Sequence, residues 1–499
     1  MGIIEKQGIK GTVYSYIGVI IGFITAGILL PLFLEKEELG VLEMLVTWAS
    51  IFATLATLGI NSVTNRLFPY FRDPKSHHKG YFSVLSIVLV LGLALSIGLY
   101  LILKPAIIRD SLEESALFIN YIDLVIPLMI FIAVFMVVDI YYAVLYNAVK
   151  GLFLKDFLQR VFILAAILFF YFKVFDFSGL VMAYVGALSL PGILILISLT
   201  RDGEFAFKSP RLYLTPDLTK SMASVAFFGI VVTFGNSMIQ YIDRIMINSM
   251  IGLSDVGLYR VMFFYGTLVV IPLRPLSKIS AVIVAQSWKD DKYDEVASVY
   301  QKSTVDQLII ALLVFIGIWG NIDNVLHILP DGYEEGKFVV FFIGLSNLFV
   351  MAAGVSGAII STSPYYKVLT IFIIMFGILV VVTNFIFIKA FGIVGAAAAS
   401  AISVLAYSLM RVIFLKTKYK MQPFSARHLL ILAIGIAAYL ISLLVPGLVK
   451  ESNMVPTLVL DIAVRSTVIS LVYLSLVYFL KLSPELDRFL RKIIKRIPS

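Results

Sequence analysis

Long apolar segments separated by short charged gaps fill this chain of 499 residues from end to end. Hydrophobic residues make up 60% of it and charged residues 14%, a far more apolar balance than soluble domains show. We expect helices rather than barrel strands, because lipid offers the backbone no hydrogen-bond partner and no segment alternates between polar and apolar residues. Since roughly 20 apolar residues cross the hydrocarbon core as a helix, the sequence predicts an all-α polytopic membrane protein with about 14 transmembrane helices. The predicted spans lie near residues 13–34, 41–68, 81–103, 121–149, 157–172, 179–199, 222–247, 256–283, 305–322, 338–360, 368–388, 394–415, 429–445 and 456–480.

The basic residues predict the orientation. Of the 40 Lys and Arg residues, most lie in the termini and in alternate gaps, whereas the opposite gaps hold only single cations. The positive-inside rule then places both termini in the cytoplasm, and we expect a bacterial cytoplasmic (inner) membrane. The net charge of +9 therefore reflects the orientation in the membrane and does not indicate nucleic-acid binding. With no cysteine and four histidines, the sequence predicts no metal site and no cofactor.

Two glycine-containing motifs recur at nearly the same spacing, which indicates an internal duplication. The stretch of chain from Gly40 to Gly257 is longer by a single position than the stretch from Gly179 to Gly395. An even number of spans separates the copies, so the repeat is parallel, with an axis along the membrane normal. The predicted organisation is two pseudo-symmetric six-helix lobes plus two C-terminal helices. Its parts are lobes over 1–200 and 222–416, a cytoplasmic linker over 201–221, two further spans over 428–480 and a basic amphipathic tail over 481–499.

Lobes related in this way usually rock about a central cavity, which favours transport by alternating access. The gaps predicted outside the cytoplasm are short, so they offer little room for a catalytic domain. The chain also has no glycine-rich phosphate loop for an ATPase motor. We therefore expect a transporter without catalytic residues.

Charged and amide side chains within the spans are the candidate site residues, because ionisable groups in a membrane are costly and usually face a polar interior. Candidates for substrate binding are Arg66, Arg244, Arg260, Arg274, Asn61 and Gln240. Candidates for gating or coupling are Glu43, Asp139 and Asp243. Asp461 and Arg465 stand four residues apart and pair on one helix face, whereas Arg411 is expected to extend to the inner surface.

Arg260 occupies the repeat position equivalent to Glu43, because each comes three positions after its repeated glycine. Both are predicted near the outer mouth, where a Glu43–Arg260 or Glu43–Arg244 pair would latch the inward-facing state. The alternative is that these charges are exposed at the surface. Within the spans, cations outnumber acids, and the arginine fork matches phosphate and carboxylate groups. The pattern suits an anionic head group such as a lipid diphosphate or an acidic sugar.

The chain resembles the bacterial oligosaccharide flippases, the Wzx-type polysaccharide biosynthesis proteins of the multidrug/oligosaccharidyl-lipid/polysaccharide exporter superfamily. The resemblance rests on the span count and on Glu38-Leu39-Gly40, Tyr241-Ile242-Asp243-Arg244 and Val256-Gly257-Leu258-Tyr259. It implies a two-lobe bundle that moves undecaprenyl-diphosphate-linked units of O-antigen lipopolysaccharide, capsule or exopolysaccharide from the inner to the outer leaflet. The arginines that lipid II flippases of this superfamily carry in their first span are absent here.

Two other functions remain open at this stage. A cation-coupled exporter of small molecules would use a carboxylate such as Asp139, and a membrane glycan polymerase or ligase would need acid–base groups on an outer loop. The expected partners are a lipid-linked oligosaccharide, membrane lipids and the polysaccharide polymerase and chain-length machinery. We expect a monomer.

Overall fold

The computed structural model describes residues 3–111, 115–210, 213–445 and 455–483, and the regular structure in these ranges is helical, without a strand. The predicted basic tail lies, from residue 484 onward, outside the described residues. The longer helices of the described part are named here in chain order. They are α1 Ile3–Gly22, α2 Lys36–Ala56, α3 Tyr81–Ser111, α4 Val125–Val144, α5 Gln159–Tyr171, α6 Phe177–Arg201, α7 Pro216–Met250, α8 Leu253–Thr267, α9 Arg274–Lys289, α10 Tyr293–Trp319, α11 Lys337–Ala352, α12 Lys367–Tyr419, α13 Ala426–Leu443 and α14 Val455–Phe479.

Twelve helices in the described residues are long and apolar enough to cross a membrane, so the protein is a multi-pass membrane protein. The sequence predicted about 14 spans, and two differences account for the lower number. The first is α12, which runs for 53 residues, or about 80 Å, and so exceeds the roughly 30 Å of hydrocarbon core. Gly392 within it has φ 58° and ψ −140°, which breaks the helix between the predicted eleventh and twelfth spans.

The second difference is the predicted fifth span. Here Val149–Leu152, a π-helical stretch Phe153–Leu158 and α5 follow one another, and the charged residues Lys155, Asp156 and Arg160 lie in the first half. Helix α1 covers part of this charge, since Ser15 Oγ donates to Asp156 Oδ2 at 2.6 Å. The two elements approach so closely that a Cβ at Gly18 would lie 1.8 Å from the Asp156 carbonyl. The segment thus differs from the twelve candidate spans in its charge, part of which is bound by α1.

The chain divides into two compact units, Met1–Arg260 and Val261–Ser499. In the first unit α2 and α7 pack antiparallel along their length. Glu43 meets Arg244 near one end and Thr54 Oγ1 donates to Ser237 Oγ at 3.2 Å further along. Beyond α2, a Cβ at Gly59 would lie 2.2 Å from the Ala226 carbonyl.

The predicted linker packs onto the first unit. Ser83 Oγ donates to the Lys208 carbonyl at 2.8 Å, and His78 Nε2 lies 3.5 Å from Glu204 Oε2. Phe82 contacts the rings of Phe205 and Phe207 at centroid distances of 5.2 and 5.4 Å. Segment 204–208 is therefore fixed to the beginning of α3.

Two apolar cores lie in the described part of the second unit. One joins α10, α11, α13 and α14 around Leu312, Ile431 and Tyr473, and the Tyr473 hydroxyl donates to the Ile309 carbonyl at 3.0 Å. The other gathers Val284, Tyr300, Ile359 and Leu415. Many large apolar side chains elsewhere are exposed, as expected of helix faces that contact lipid.

Candidate functional site

A carboxylate shared between two arginines forms the centre of a charged cluster in the first unit. Glu43 Oε1 lies 3.2 Å from Arg244 Nε, and Glu43 Oε2 lies 3.4 Å from Arg260 Nε. The side chains are only 13%, 6% and 13% exposed for Glu43, Arg244 and Arg260. Both ion pairs proposed from the sequence therefore occur together, with Arg244 buried and Glu43 and Arg260 half-buried rather than exposed at the surface.

The repeated glycines explain how α2 and α8 come close enough for this contact. A Cβ at Gly40 would lie 2.2 Å from the Leu253 carbonyl, and a Cβ at Gly257 would lie 1.8 Å from the Lys36 carbonyl. Leu253 precedes Gly257 by four positions, just as Lys36 precedes Gly40. The contact is thus reciprocal, since each glycine lies against the carbonyl four positions before the other. Glu43 and Arg260 each stand three positions beyond their glycine, so the crossing brings them together.

Backbone and ring groups hold the two guanidinium groups in place. Arg244 Nη1 donates to the Gln240 carbonyl one turn earlier on α7. Arg260 donates from Nη1 to the Leu39 carbonyl at 3.3 Å and from Nη2 to the Tyr184 hydroxyl at 2.9 Å. The Arg260 guanidinium also lies 5.7 Å from the Tyr184 ring centroid. These contacts leave the arginines little rotational freedom.

Asp243, adjacent to Arg244 on α7, points to a different partner. Its Oδ2 accepts a hydrogen bond of 2.9 Å from the Tyr259 hydroxyl, and both side chains are buried. The Arg244 guanidinium lies 5.7 Å from the Tyr259 ring centroid, so this pair adjoins the Glu43 pairs. Two acids and two arginines therefore balance within one cluster, which lowers the cost of placing charge inside a membrane.

Sequence reasoning missed Tyr184 and the Leu39 carbonyl. Tyr184 lies on α6, carries no charge and is one of 25 tyrosines, so nothing distinguishes it in the sequence. The Tyr259 side chain is fully buried, and its hydroxyl is bound to Asp243.

The other predicted site residues lie elsewhere in the chain. Asn61 and Arg66 are on the short helix Ile60–Leu67 beyond the far end of α2, which separates them from Glu43 by about 20 Å of helix. Asn61 is buried, and among the described residues its Oδ1 has no hydrogen-bond partner, whereas Arg66 is exposed. Asp139 lies on α4 against Gly151, where a Cβ would stand 1.6 Å from Asp139 Oδ1.

Two predicted binding residues contribute less than expected. The Gln240 side chain is exposed, and only its carbonyl takes part in the cluster. Arg274 is the first residue of α9, but its side chain lies outside the described residues. No group of three or more His, Asp or Glu side chains in the described ranges is arranged to hold a metal ion.

A family model described as polysaccharide biosynthesis protein matches residues 7–284, more than half of the chain. The chain belongs to this family. The match includes all four charged residues of the cluster. No curated protein matches the chain by sequence.

Solved structures of related architecture support the fold. One is "Lipid II flippase MurJ, inward closed conformation", with a TM-score of 0.68 and 13% identity, covering 94% of this chain and 100% of that one. Another is an inward-facing multidrug resistance MATE family transporter of the MOP superfamily, with a TM-score of 0.62 and 13% identity, covering 80% and 94%. An outward-facing MATE structure gives a TM-score of 0.56 at 13% identity, covering 84% and 96%. At these identities the likeness establishes a shared fold, in agreement with the sequence-based assignment to the superfamily.

Proposed function

We propose that this protein flips lipid-diphosphate-linked oligosaccharide units from the inner to the outer leaflet by alternating access. The observation that carries the proposal is membership of the polysaccharide biosynthesis family over residues 7–284. The membrane is the bacterial inner membrane, with both termini in the cytoplasm. The protein acts as a monomer without a catalytic step, and the polymerase and chain-length machinery consume its product.

The chemistry of the cluster suits a diphosphate head group. Arg244 and Arg260 share the single carboxylate of Glu43, at 3.2 and 3.4 Å. A diphosphate carries more negative charge and more acceptor oxygens than a carboxylate, so it competes with Glu43 for both guanidinium groups. In this proposal the Glu43 pairs hold one transport state, and the arriving substrate releases them.

Asp243 and Asp139 are the groups we assign to coupling. Asp243 adjoins the arginines and is bound to Tyr259, so a change in its protonation would alter the charge balance at the Glu43 pairs. Asp139 lies on a separate helix and provides a second candidate for proton transfer.

Export of small molecules is the second candidate, and the likeness to MATE transporters at a TM-score of 0.62 favours it. The MurJ likeness of 0.68 is similar, and both show the fold alone. Substrate therefore has to be tested directly.

The test uses a strain that lacks the gene and asks whether completed lipid-linked units accumulate out of reach of an external glycan-modifying probe. We expect the intact gene to restore probe access and Arg244→Ala to fail, with both proteins present at equal levels in the membrane. Glu37→Gln, an exposed acid on α2, is the matched control and should restore access fully. Normal glycan lipids together with altered drug tolerance would overturn the proposal in favour of small-molecule export.

The latch has its own test in a charge exchange. Glu43→Arg and Arg260→Glu are each expected to abolish transport, because each places like charges against each other at the crossing of α2 and α8. The double variant restores one opposite-charge pair at the same positions and should recover part of the activity. Absence of any recovery, in a double variant that folds, would argue against a latch.

A further inference from the structure

Arg411, on α12 of the second unit, adopts an orientation that the sequence did not predict. A snorkelling side chain would extend toward the charged segment 416–420. The Arg411 guanidinium instead turns back along its helix and lies 4.5 Å from the Tyr407 ring centroid. Nη2 donates to Ser408 Oγ at 3.3 Å, one turn earlier. The charge is thus directed into the helix bundle of this unit.

No carboxylate in the described residues forms an ion pair with Arg411. Its Nε is buried and has no acceptor there. Leaving a buried donor without an acceptor is costly, and the cost is greater when the donor is charged. A cation kept in this state favours an anionic ligand.

Two further buried donors accompany the guanidinium. The hydroxyls of Tyr300, on α10, and Ser356, at the start of helix Ser356–Thr362, also have no hydrogen-bond partner of normal geometry among the described residues. The Tyr300 hydroxyl lies close to the Arg411 guanidinium and within reach of a weak hydrogen bond with the Ser356 hydroxyl. Three helices therefore bring the Arg411 guanidinium and two buried hydroxyls, which contact each other only weakly, toward one place.

Gly357 keeps the approach to the guanidinium open. A Cβ built there would meet a single atom within 4 Å, Arg411 Nη1 at 3.1 Å. A larger side chain at position 357 would occupy the space beside the guanidinium. The glycine therefore makes room for a ligand at Nη1.

We propose that Arg411, Tyr300 and Ser356 form a binding site for a phosphate group. A phosphate offers several acceptor oxygens and a charge opposite to that of the arginine fork, which satisfies all three donors at once. The site lies near the end of a span that Lys416, Lys418 and Lys420 follow, at the predicted level of the inner-leaflet head groups. The phosphate is that of an anionic phospholipid or a free phosphate or diphosphate. The site does not depend on which substrate the protein transports.

Binding to the full-length, delipidated protein in dodecyl maltoside tests the proposal by native mass spectrometry and by the shift in thermal denaturation midpoint. The probes are phosphatidylglycerol, inorganic phosphate and inorganic pyrophosphate. We expect Arg411→Gln and Gly357→Val to weaken binding at least tenfold, the first by removing the charge and the second by occupying the space. Lys416→Gln, which removes an exposed cation from the same helix, should bind as the wild type does.

The probes distinguish the two sources of phosphate. Phosphatidylglycerol binding without phosphate or pyrophosphate binding assigns the site to a lipid, and the reverse assigns it to a soluble anion. The proposal would be overturned if Arg411→Gln and Gly357→Val both bind the probes as tightly as the wild type does. It would also be overturned if Lys416→Gln loses as much affinity as they do. If either site variant is unfolded, Tyr300→Phe provides a conservative replacement that removes one donor. We expect this change to weaken probe binding severalfold.

Discussion

The described residues include two clusters built on largely enclosed arginines, and these clusters differ in how the charge is balanced. In the first unit Arg244 and Arg260 share Glu43, and the neighbouring Asp243 accepts from Tyr259. In the second unit Arg411 has ring, hydroxyl and glycine neighbours but no ion pair with a described carboxylate. The first cluster is balanced by acids within the protein, whereas the second has no carboxylate partner among the described residues. Partnering, rather than residue type, thus separates the proposed latch from the proposed phosphate site.

The largest effect is expected for Glu43→Gln. This change leaves Arg244 and Arg260 without their shared carboxylate, and removing one partner of a buried pair costs about 3–5 kcal/mol. We expect a large fall in the thermal denaturation midpoint of the detergent-solubilised protein. The exposed Glu37→Gln on the same helix should leave the midpoint almost unchanged. Equal midpoints for the two variants would show that water replaces the lost carboxylate as the partner of the two arginines.

Gly257→Ala tests the helix crossing that positions the paired cluster. The new Cβ would lie 1.8 Å from the Lys36 carbonyl, so the backbone must shift. Overpacking of this kind costs about 1–3 kcal/mol. We therefore expect a fall in the thermal denaturation midpoint that is smaller than for Glu43→Gln. Gly186→Ala on α6 is the control, because no atom lies within 4 Å of its Cβ. If the two alanine variants are equally stable, the close approach of α2 and α8 is not required.

An exposed ion pair provides a reference for both buried clusters. Lys150 and the Tyr142 hydroxyl both donate to Asp202, and the Lys150 hydrogen bond holds the pKa of Asp202 below its usual value. The resulting stability is present above the ordinary aspartate pKa of about 3.9 and is lost as pH falls through the lower folded pKa. For a pair this exposed we expect less than about 1 kcal/mol. The midpoint difference between wild type and Asp202→Asn should shrink from pH 7 to pH 3, and a constant difference would contradict the assignment.

Arg411→Met is expected to have the smallest effect on stability. It removes a cation that has no carboxylate while keeping an apolar stem of similar length, so in phosphate-free detergent the change should stay within about 1 kcal/mol. Arg465→Met is the matched comparison, since it deprives the buried Asp461 of the arginine that lies 3.5 Å away. We expect Arg465→Met to lose more stability than Arg411→Met. A loss for Arg411→Met as large as that for Glu43→Gln would remove the distinction between the two clusters.

Much of the paired cluster was predictable because the duplication aligns equivalent positions of the two repeats. The equivalence of Glu43 and Arg260 follows from their matching positions after the repeated glycines, and the structure places their side chains 3.4 Å apart. No comparable rule identifies Tyr259 as the partner of Asp243 or Tyr184 as a support for Arg260. Those contacts depend on the rotation of each helix about its own axis, which packing determines.

The sequence alone predicted most of the membrane-spanning helices, because long apolar segments without a polar–apolar alternation satisfy their backbone hydrogen bonds in lipid as helices. It also determined the glycine positions where two repeated helices are able to cross. Only the tertiary structure decided which buried charges are neutralised within the protein and which are not. Neutralisation depends on side chains from distant segments approaching within a few ångströms, and hydropathy and charge patterns carry no information about such distances. Arg244 and Arg411 are both intramembrane arginines in the sequence, but one lies beside Glu43 and the other beside Gly357.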